Sequence, residues 1–260
     1  MRPDDILERT QWDYFWVPGD VQVTDRPELL YYSCPRDVPT LNVVTRTRAE
    51  PERLPDLIEE VSQSHRKARS RWLVRDLPDW EPLKLALQAA GYSPHVHTFA
   101  SAIDVKEHES RPVQDIVVRQ VLDMPTLRDC VAVSEQAFPG TRVVTEEELA
   151  RDLQIATAGT RVHRFVAYDR DTGKPLSSGG MTLFPALRFG FLWAGGTIPE
   201  ARGRGAYSAV LRARVERARD LGFEYVGLYA AADTSAPIVL RQGFKRYGAM
   251  TYWERPIPPA

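Results

Sequence analysis

An apolar strand, an arginine- and glycine-rich turn and a long helix follow one another directly in the C-terminal half of the chain. The run "FGFLWAGGTI" (189–198) is nearly continuously apolar, a pattern typical of a strand buried on both faces. The turn "RGRG" (Arg202–Gly205) leads into a helix predicted to end near Leu221, with Gly222 as its C-terminal cap. A strand joined to a helix by so short a turn favours an α/β fold.

This turn has the physical properties of a polyphosphate-binding site. The N-terminus of a helix offers unpaired N–H groups and a partial positive charge. Glycine lets the backbone approach a ligand closely, and arginine adds charge-assisted hydrogen bonds to phosphate oxygens. The turn lacks the Lys-Ser/Thr ending of a P-loop and the three glycines of the dinucleotide fingerprint. The sequence therefore predicts a phosphate cradle of another kind, although a plain surface turn is the alternative.

The predicted helix after the turn has one apolar face. Leu211, Val215 and Ala218 fall on that face at helical spacing, together with Tyr207 and Leu221. We expect the charged residues to point away from it, and these are Arg212, Arg214, Arg217, Arg219 and Asp220.

Other elements of the C-terminal half are marked by their turns and caps. The segment Asp171–Lys174 predicts a hairpin between two apolar strands. Two helices are predicted upstream, the second opened by Thr145 as N-cap with Glu146–Glu148 in its first turn. A strand, a short helix opened by Pro237 and a last strand complete the chain.

The N-terminal half repeats part of this order. The strand "RSRWLVRD", the helix "WEPLKLALQAA" and Gly91-Tyr92 correspond to the strand "FEYVGLYA", the helix "APIVLRQ" and Gly243-Phe244. The repetition predicts two related halves, 1–110 and 115–260, with a boundary in the polar stretch Lys106–Gln114. The N-terminal half has no comparable glycine turn, so we expect it to bind no cofactor.

Composition excludes several classes of protein. The 260 residues carry a formal net charge of −1, which argues against a nucleic-acid-binding protein. Cys34 and Cys130 have no metal-ligand spacing and are expected to be small buried side chains; the scattered histidines predict no metal site. No apolar run has the length of a signal peptide or a membrane span, so we expect a soluble cytoplasmic protein that binds no membrane.

The segment "TIPEARGRGAY" resembles the acyl-CoA pyrophosphate loop of the Gcn5-related N-acetyltransferases (GNAT family). Thr197-Ile198-Pro199 takes the place of the family's Val-x-Pro, and Arg202, Gly203 and Gly205 match its loop directly. The resemblance runs through Leu183–Tyr252. It implies the acyl-CoA N-acyltransferase fold, an α/β fold with a mixed, mostly antiparallel central sheet flanked by helices, and a related but degenerate N-terminal domain.

The resemblance also implies a reaction, the transfer of an acetyl group from acetyl-CoA to a primary amine of a small molecule or peptide. The implied pyrophosphate loop consists of Arg202, Gly203, Arg204, Gly205, Ala206, Tyr207 and Ser208. Backbone N–H groups around Gly196, Thr197 and Ile198 are implied to polarise the thioester carbonyl. Whether two copies of the chain form a homodimer is left open.

Two positions depart from the family pattern. Tyr207 stands where glycine or alanine is usual, which is compatible with the loop if its side chain points into the core. Val239 stands where many members have the tyrosine that protonates the departing thiolate. Because a thiol has a pKa near ~8.5, it is an acceptable leaving group without that acid. Val239 nevertheless leaves open a second function, a non-catalytic acyl-CoA-binding sensor or scaffold.

The general base is not evident from the sequence. The strand 189–198 contains no carboxylate or histidine, although this strand often supplies the base in the family. Glu135 and His163 are the candidates, and Tyr252 and Glu254 on the last strand are weaker ones.

Overall fold

The computed structural model describes residues 3–109, 113–139 and 144–257. Its helices and strands follow along the chain as α1 (Pro3–Thr10), β1 (Gln22–Arg26), β2 (Leu29–Ser33), β3 (Val43–Thr47), α2 (Leu54–Ser64), β4 (Ser70–Arg75), α3 (Glu81–Ala89), β5 (Ser93–Asp104), β6 (Ile116–Gln120), α4 (Met124–Ala137), α5 (Glu146–Ala158), β7 (Val162–Asp169), β8 (Pro175–Phe184), β9 (Phe189–Thr197), α6 (Ala206–Asp220), β10 (Tyr225–Ala231), α7 (Ala236–Arg241) and β11 (Lys245–Arg255).

These elements form two compact units that do not follow a single cut in the chain. The first unit contains Met1–Ala100, Tyr229–Ala236 and Tyr247–Ala260. The second contains Ser101–Leu228 and Pro237–Arg246. The predicted domains, 1–110 and 115–260, describe halves of the chain, whereas each compact unit includes strand residues from the other half.

The sheet of the first unit has the strand order β1-β2-β3-β4-β11-β5. β1, β2 and β3 are antiparallel, β3 and β4 are parallel and joined through α2, and β11 lies antiparallel to β4. Trp72 of β4 is fully buried and packs in one cluster with Leu57 and Val61 of α2 and Leu87 of α3. The apolar faces of the two helices therefore cover β4.

The sheet of the second unit has the order β5-β10-β9-β8-β7-β6, antiparallel from β6 to β9 and parallel between β9 and β10. Both faces are covered, because alternate residues of β7 enter different cores. Phe165 and Ala167 pack with Ala206 and Val210 of α6, whereas Val166 and Tyr168 pack with residues of α4 and α5. In this unit the predicted architecture, a mixed and mostly antiparallel sheet flanked by helices, is confirmed.

Local predictions in the second unit are largely confirmed. The hairpin turn closes with a hydrogen bond from the Gly173 N–H to the Asp169 carbonyl, at 2.9 Å. Thr145 caps α5 in a reciprocal capping box with Glu148. The predicted direction of Arg214 is wrong: its side chain is only 1% exposed and lies among the buried residues of α6. The helical period alone assigns an arginine to the polar face, and it contains no information about the space beneath the sheet.

The helix α3 and the helix α7 end in the same way. After α3, Tyr92 N–H donates to the carbonyl of Leu87 at 3.0 Å, and after α7, Phe244 N–H donates to the carbonyl of Val239 at 3.2 Å. A left-handed glycine precedes each donor, Gly91 with φ 82° and Gly243 with φ 89°. The two halves thus share a helix ending as well as an element order, and Leu87 corresponds to Val239.

The cysteines and the helices bear on the expectations drawn from composition. Cys34 and Cys130 are free and buried, as predicted. Among the residues that the structure describes, no helix combines the length and the apolar character that crossing a membrane requires.

Candidate active site and cofactor loop

The loop between β9 and α6 is shaped by two left-handed glycines. A short 3-10 turn, Pro199–Ala201, follows β9, and the chain then extends at Arg202. Gly203 has φ 79°, and Gly205, the N-cap of α6, has φ 83°. Another L-residue would be strained at either position, since its Cβ opposes the left-handed conformation. The two glycines that matched the family loop are therefore required by the backbone itself.

The N-terminus of α6 lacks the usual cap. Its N-cap residue, Gly205, has no side chain that could accept a hydrogen bond from the first turn. The N–H groups of the first turn, which begins at Ala206, lack carbonyl partners within the helix. Such a helix end attracts anions through these N–H groups and through the helix dipole.

The two arginines of the loop differ in their surroundings. Arg204 donates from Nη2 to Asp169 Oδ2, at the hairpin end of β7. This contact with Arg204 is the main reason why the pKa of Asp169 lies below its usual range, and hydrogen bonds from Thr172 add to it. Arg202 is exposed, and among the described residues its side chain has no ion pair or hydrogen bond. Of the two, Arg202 is the arginine available for a phosphate.

Strand β9 contains a bulge just before the loop. Gly180 of β8 is paired with Trp193, but Ser178, two residues earlier, is paired with Gly196, three residues later. Ala194 and Gly195 therefore lie opposite the single residue Gly179, and Ala194 takes the left-handed φ of 46°. A bulge leaves the amide of the extra residue without a partner in the sheet. The free backbone of β9 is thus centred on Ala194 and Gly195.

The amides expected from the sequence to polarise a carbonyl lie slightly later, at Gly196, Thr197 and Ile198. Ile198 N–H already donates to the carbonyl of Leu176 at 3.0 Å, so this amide is not available. Gly196 is paired with Ser178 and Thr197 with Ser177. The bulge places the irregular backbone of β9 at Ala194 and Gly195, just before the predicted amides.

Strands β9 and β10 pair over a short length only. The parallel register joins Phe189–Phe191 to Tyr225–Gly227. Beyond it, Leu192–Thr197 of β9 have no partner in β10 among the described residues. The bulged part of β9 is consequently free along one edge, where an extended ligand can hydrogen-bond to it.

The α4 and α5 side of the bulge is lined by aromatic and charged side chains. The Trp193 ring covers Gly180, where a Cβ would lie 2.4 Å from the ring, and its Nε1 donates to Thr182 Oγ1 at 2.9 Å. Arg164 lies 5.1 Å from the centre of this ring and pairs with Asp152 of α5 at 2.7 Å. This face of β9 therefore offers an aromatic surface beside a paired cation and anion.

No model of a known protein family and no curated protein matches the sequence. Solved structures match it over nearly its whole length. A GCN5-related N-acetyltransferase from Kribbella flavida superimposes with a TM-score of 0.69 at 13% identity, covering 98% of this chain and 96% of that one. A GCN5-related N-acetyltransferase from Sphaerobacter thermophilus gives 0.63 at 17% identity, with 92% and 77% covered. A tandem GNAT protein from the clavulanic acid biosynthesis pathway gives 0.62 at 15% identity, with 98% and 88% covered.

The chain has the fold of the GCN5-related N-acetyltransferases. The likeness extends over nearly the whole chain. At 13–17% identity the comparison establishes the fold alone. The chemistry of the site must therefore be inferred from this chain's own residues.

His163, predicted as a base in this GNAT fold, lies inside the second unit. It is on β7, fully buried, and accepts a hydrogen bond at Nδ1 from the side-chain amide of Gln120 at 3.2 Å. Burial lowers the pKa of His163 to about 4, and the nearby charge of Arg217 contributes to the same shift. The imidazole is therefore neutral near pH 7 and sealed from solvent.

Glu135, the other predicted base, is exposed on α4. The buried residues of that helix are Thr126, Leu127, Cys130 and Val133. Because Glu135 is about 200° around the helix from Val133, its carboxylate points away from the sheet. The structure thus does not bring Glu135 and His163 together.

The weaker candidates on the last strand belong to the first unit. Glu254 pairs with Arg71 at 2.7 Å, and Arg71 also lies 5.3 Å from the centre of the Tyr252 ring. Burial raises the pKa of Tyr252. Both side chains already have structural partners within that unit.

Val239, which the sequence resemblance predicted at the position of the family's tyrosine, is fully buried in α7. Its side chain has no acidic proton, so the GNAT fold of this chain contains no acid at that position.

The groups beneath and beside the bulge were not predicted from the sequence. These are the left-handed Ala194, the buried Arg214 and the cluster of Trp193, Arg164 and Asp152. Their one signal in the sequence was the glycine pairs "SSGGM" and "AGGTI", since glycine within a strand often marks a bulge or a close approach.

Proposed function

We propose that this protein transfers an acetyl group from acetyl-CoA to a primary amine of a small molecule or peptide. The observation that carries the proposal is the direct succession of a bulged strand, two left-handed glycines and an uncapped helix N-terminus, from Ala194 to Ala206. This succession supplies hydrogen-bond donors for a thioester carbonyl at one end and for a pyrophosphate at the other. The fold supports the same conclusion.

The residues of this chain fit acetyl-CoA as a substrate. In the proposed complex, the first-turn N–H groups of α6, from Ala206 to Ser208, and the free guanidinium of Arg202 bind the pyrophosphate. Gly203 leaves open space, since a Cβ there would meet no atom within 4 Å. The pantetheine arm then runs along the unpaired edge of β9, and the amides of Ala194 and Gly195 polarise the carbonyl.

The acceptor must lose a proton, because an alkylammonium with a pKa near ~10.4 is not nucleophilic. His163 with a pKa of about 4 is a weak base for that purpose, and it is buried. The exposed Glu135 faces away from β9. We therefore propose that the amine reacts in its neutral form after losing its proton to water, and that neither side chain removes it.

The test is the release of free thiol from acetyl-CoA in the presence of a panel of amines, together with calorimetry of CoA binding. The proposal expects binding and amine-dependent thiol release. CoA binding without release by any amine would favour the alternative, a non-catalytic acyl-CoA-binding sensor or scaffold, to which the buried Val239 points. Absence of CoA binding would exclude both functions.

A further inference from the structure

A guanidinium is buried directly beneath the bulge of β9. Arg214, on the third turn of α6, is 1% exposed. A Cβ on Gly179 would lie 2.9 Å from its Cζ, and a Cβ on Gly195 would lie 3.2 Å from its Nη2. Two glycines, one on β8 and one on the bulge itself, thus make room for this group. The close approach fixes the guanidinium against the backbone of both strands.

No carboxylate of the described residues pairs with this buried charge. Arg214 donates from Nε to the Val210 carbonyl at 3.3 Å and from Nη1 to the Gly180 carbonyl at 3.2 Å. Nη2, the nitrogen beneath Gly195, has no hydrogen-bond partner among the described residues. Within the same part of the chain, Arg214 forms no ion pair with a carboxylate. The Tyr207 ring closes the space, 3.0 Å from where a Cβ on Gly195 would lie.

Such an arrangement costs stability. A cation removed from water loses its hydration, and two carbonyl contacts replace only part of it. Burial accordingly lowers the pKa of Arg214, and the Tyr207 hydroxyl offsets this in part. An arginine nevertheless stays protonated in proteins. A costly buried charge aimed at an irregular strand is a feature expected where function, rather than packing, determines the residue.

We propose that Arg214 stabilises the negative charge that develops at the β9 bulge during acetyl transfer. This inference rests on the proposed function. In the reaction, the amine nitrogen forms a bond to the carbonyl carbon, and the C–S bond then breaks with its electron pair remaining on sulfur. One proton passes from nitrogen to water, and one proton from water completes the thiol. Negative charge is present first on the carbonyl oxygen and then on sulfur, and the positive charge beneath the bulge lowers the energy of both.

The position of Arg214 also explains the two positions that depart from the family pattern. The large Tyr207, unusual for the family, fills the space beside the guanidinium. Val239 removes the acid that would neutralise the departing thiolate, and a buried cation stabilises that thiolate without donating a proton. Arg214 acts through the backbone of β9 and does not contact the acetyl group. It is therefore a positioning residue, whose charge sets the electrostatic potential at the bulge.

The variants Arg214→Met and Arg214→Lys test this role, with Arg212→Met as the matched control. Arg212 is on the same helix but pairs with Glu216 at 3.7 Å, near the surface. The first measurement is the infrared band of the ¹³C-labelled carbonyl of bound acetyl-CoA, which requires no acceptor. We expect the band in the parent protein to lie below that of free acetyl-CoA. Arg214→Met should lose most of this shift, whereas Arg214→Lys should keep part of it and Arg212→Met all of it.

The second measurement separates this role from a structural one. We expect Arg214→Met to bind CoA within about threefold of the parent and to melt at the same or a higher temperature, because an uncompensated buried charge is removed. Its turnover should fall about ten- to a hundredfold. Removal of a donor that contacts the oxyanion directly costs ~10²–10³-fold, so the loss should not exceed that range. If Arg214→Met lost CoA binding and also had a lower melting temperature, the inference would be overturned in favour of a packing role.

If Arg214→Met does not fold, Gly179→Ala decides the question, because its methyl group would lie 2.9 Å from Cζ and Nη1 and must displace the guanidinium. A carbonyl band at the parent position in Gly179→Ala, or in a folded Arg214→Met, would overturn the inference and leave the proposed function intact. A parent protein that does not bind acetyl-CoA would overturn the proposed function, and this inference with it.

Discussion

Asp169 accepts a hydrogen bond from Arg204, and this pair ties one arginine of the cofactor loop to the hairpin that ends β7. The other arginine, Arg202, has no such partner within the described residues. The two side chains are two positions apart in one loop, yet one is already committed to a carboxylate. Their sequence pattern, Arg-Gly-Arg-Gly, suggested equal roles in holding a pyrophosphate. The structure makes them unequal.

We therefore expect Arg202→Ala to weaken CoA binding more than Arg204→Ala. Loss of a charge-assisted hydrogen bond to phosphate costs about 1.5–3 kcal/mol, or roughly ten- to a hundredfold in affinity. Arg204→Ala should stay within about fivefold, because an exposed ion pair contributes about 0–1 kcal/mol and this arginine must leave Asp169 before it binds phosphate. Calorimetry at two salt concentrations measures both. A larger loss in Arg204→Ala would mean that Arg204 exchanges partners when CoA binds.

Gly203→Asp should abolish measurable CoA binding without unfolding the protein. Gly173→Asp is a matched control, because Gly173 has φ 71° against 79° for Gly203 and neither site would place a Cβ within 4 Å of another atom. Both substitutions carry a similar backbone strain of about 1–2 kcal/mol. Only the aspartate at 203 places a negative charge at the predicted phosphate site. Equal CoA affinities in the two variants would move that site away from this loop.

The fold could be predicted from the sequence as far as local signals reach. The apolar run of β9, the "RGRG" turn, the Asp171–Lys174 hairpin and the Thr145 cap each depend on neighbouring residues, and each is found in the structure. The pairing of β11 with β4 depends on residues nearly 180 positions apart, as between Tyr252 and Leu73, and strand periodicity contains no information about the partner.

The candidate site also contains some features that local sequence predicts and others that it does not. Its glycines and its helix N-terminus follow from the turn pattern. The bulge shifts the strand register by one residue and leaves the composition of β9 unchanged, so the irregular backbone at Ala194 has no periodic signal. Arg214 was predicted to point away from the core because it is charged and lies off the apolar face that the helical period defines. The space that it fills is revealed only by the glycines on β8 and β9.

The stability of the protein should fall on acidification below pH 6.5, in part through two buried histidines. His163 and His65 each have a pKa of about 4 in the folded protein, in both cases mainly because of burial. An unfolded histidine titrates near ~6.5. Between these values the unfolded chain binds protons that the folded chain does not, so the free energy of unfolding decreases as the pH falls through this window and is unaffected by these groups above it.

The variant His163→Leu isolates one of the two contributions. The difference in free energy of unfolding between pH 7 and pH 4.5 should be smaller in this variant than in the parent by about 1–3 kcal/mol. Urea denaturation at the two pH values measures it, and acidic groups common to both proteins cancel in the comparison. Equal differences in parent and variant would show that the pKa of His163 is the same in the folded and the unfolded protein.

Val239→Tyr introduces the side chain that the sequence resemblance predicted for this position, and from the sequence we expected a modest gain in turnover. The structure adds a cost. Val239 is fully buried, and its carbonyl accepts hydrogen bonds from Phe244 and Gln242 at the end of α7. A ring inserted there should destabilise the protein by about 1–3 kcal/mol through overpacking. We therefore expect a lower melting temperature and little change in turnover, and a gain above about tenfold would show that the missing acid limits the reaction.

The pH dependence of kcat/KM for acetyl-CoA should be determined by the pKa of the acceptor amine. We expect no side chain of the protein to add to it. Since a base with a pKa of about 4 is fully deprotonated above pH 6, His163 adds no limb to the profile near neutrality. The rate should instead rise with pH up to the pKa of the amine, near ~10.4 for an alkylamine and lower for a less basic one. Two acceptors of different basicity should shift the profile accordingly.

His163→Ala and Glu135→Gln complete this test. We expect both variants to keep the rising limb and the CoA affinity of the parent, with Glu135→Gln also keeping its turnover because Glu135 points away from the sheet. A positioned base contributes about 10²–10⁴-fold. A loss of that size in one variant, with the rising limb removed and CoA binding kept, would identify that residue as the base. For His163 it would further require that the buried imidazole becomes accessible when the substrates bind, because water and the amine cannot reach it in the structure described.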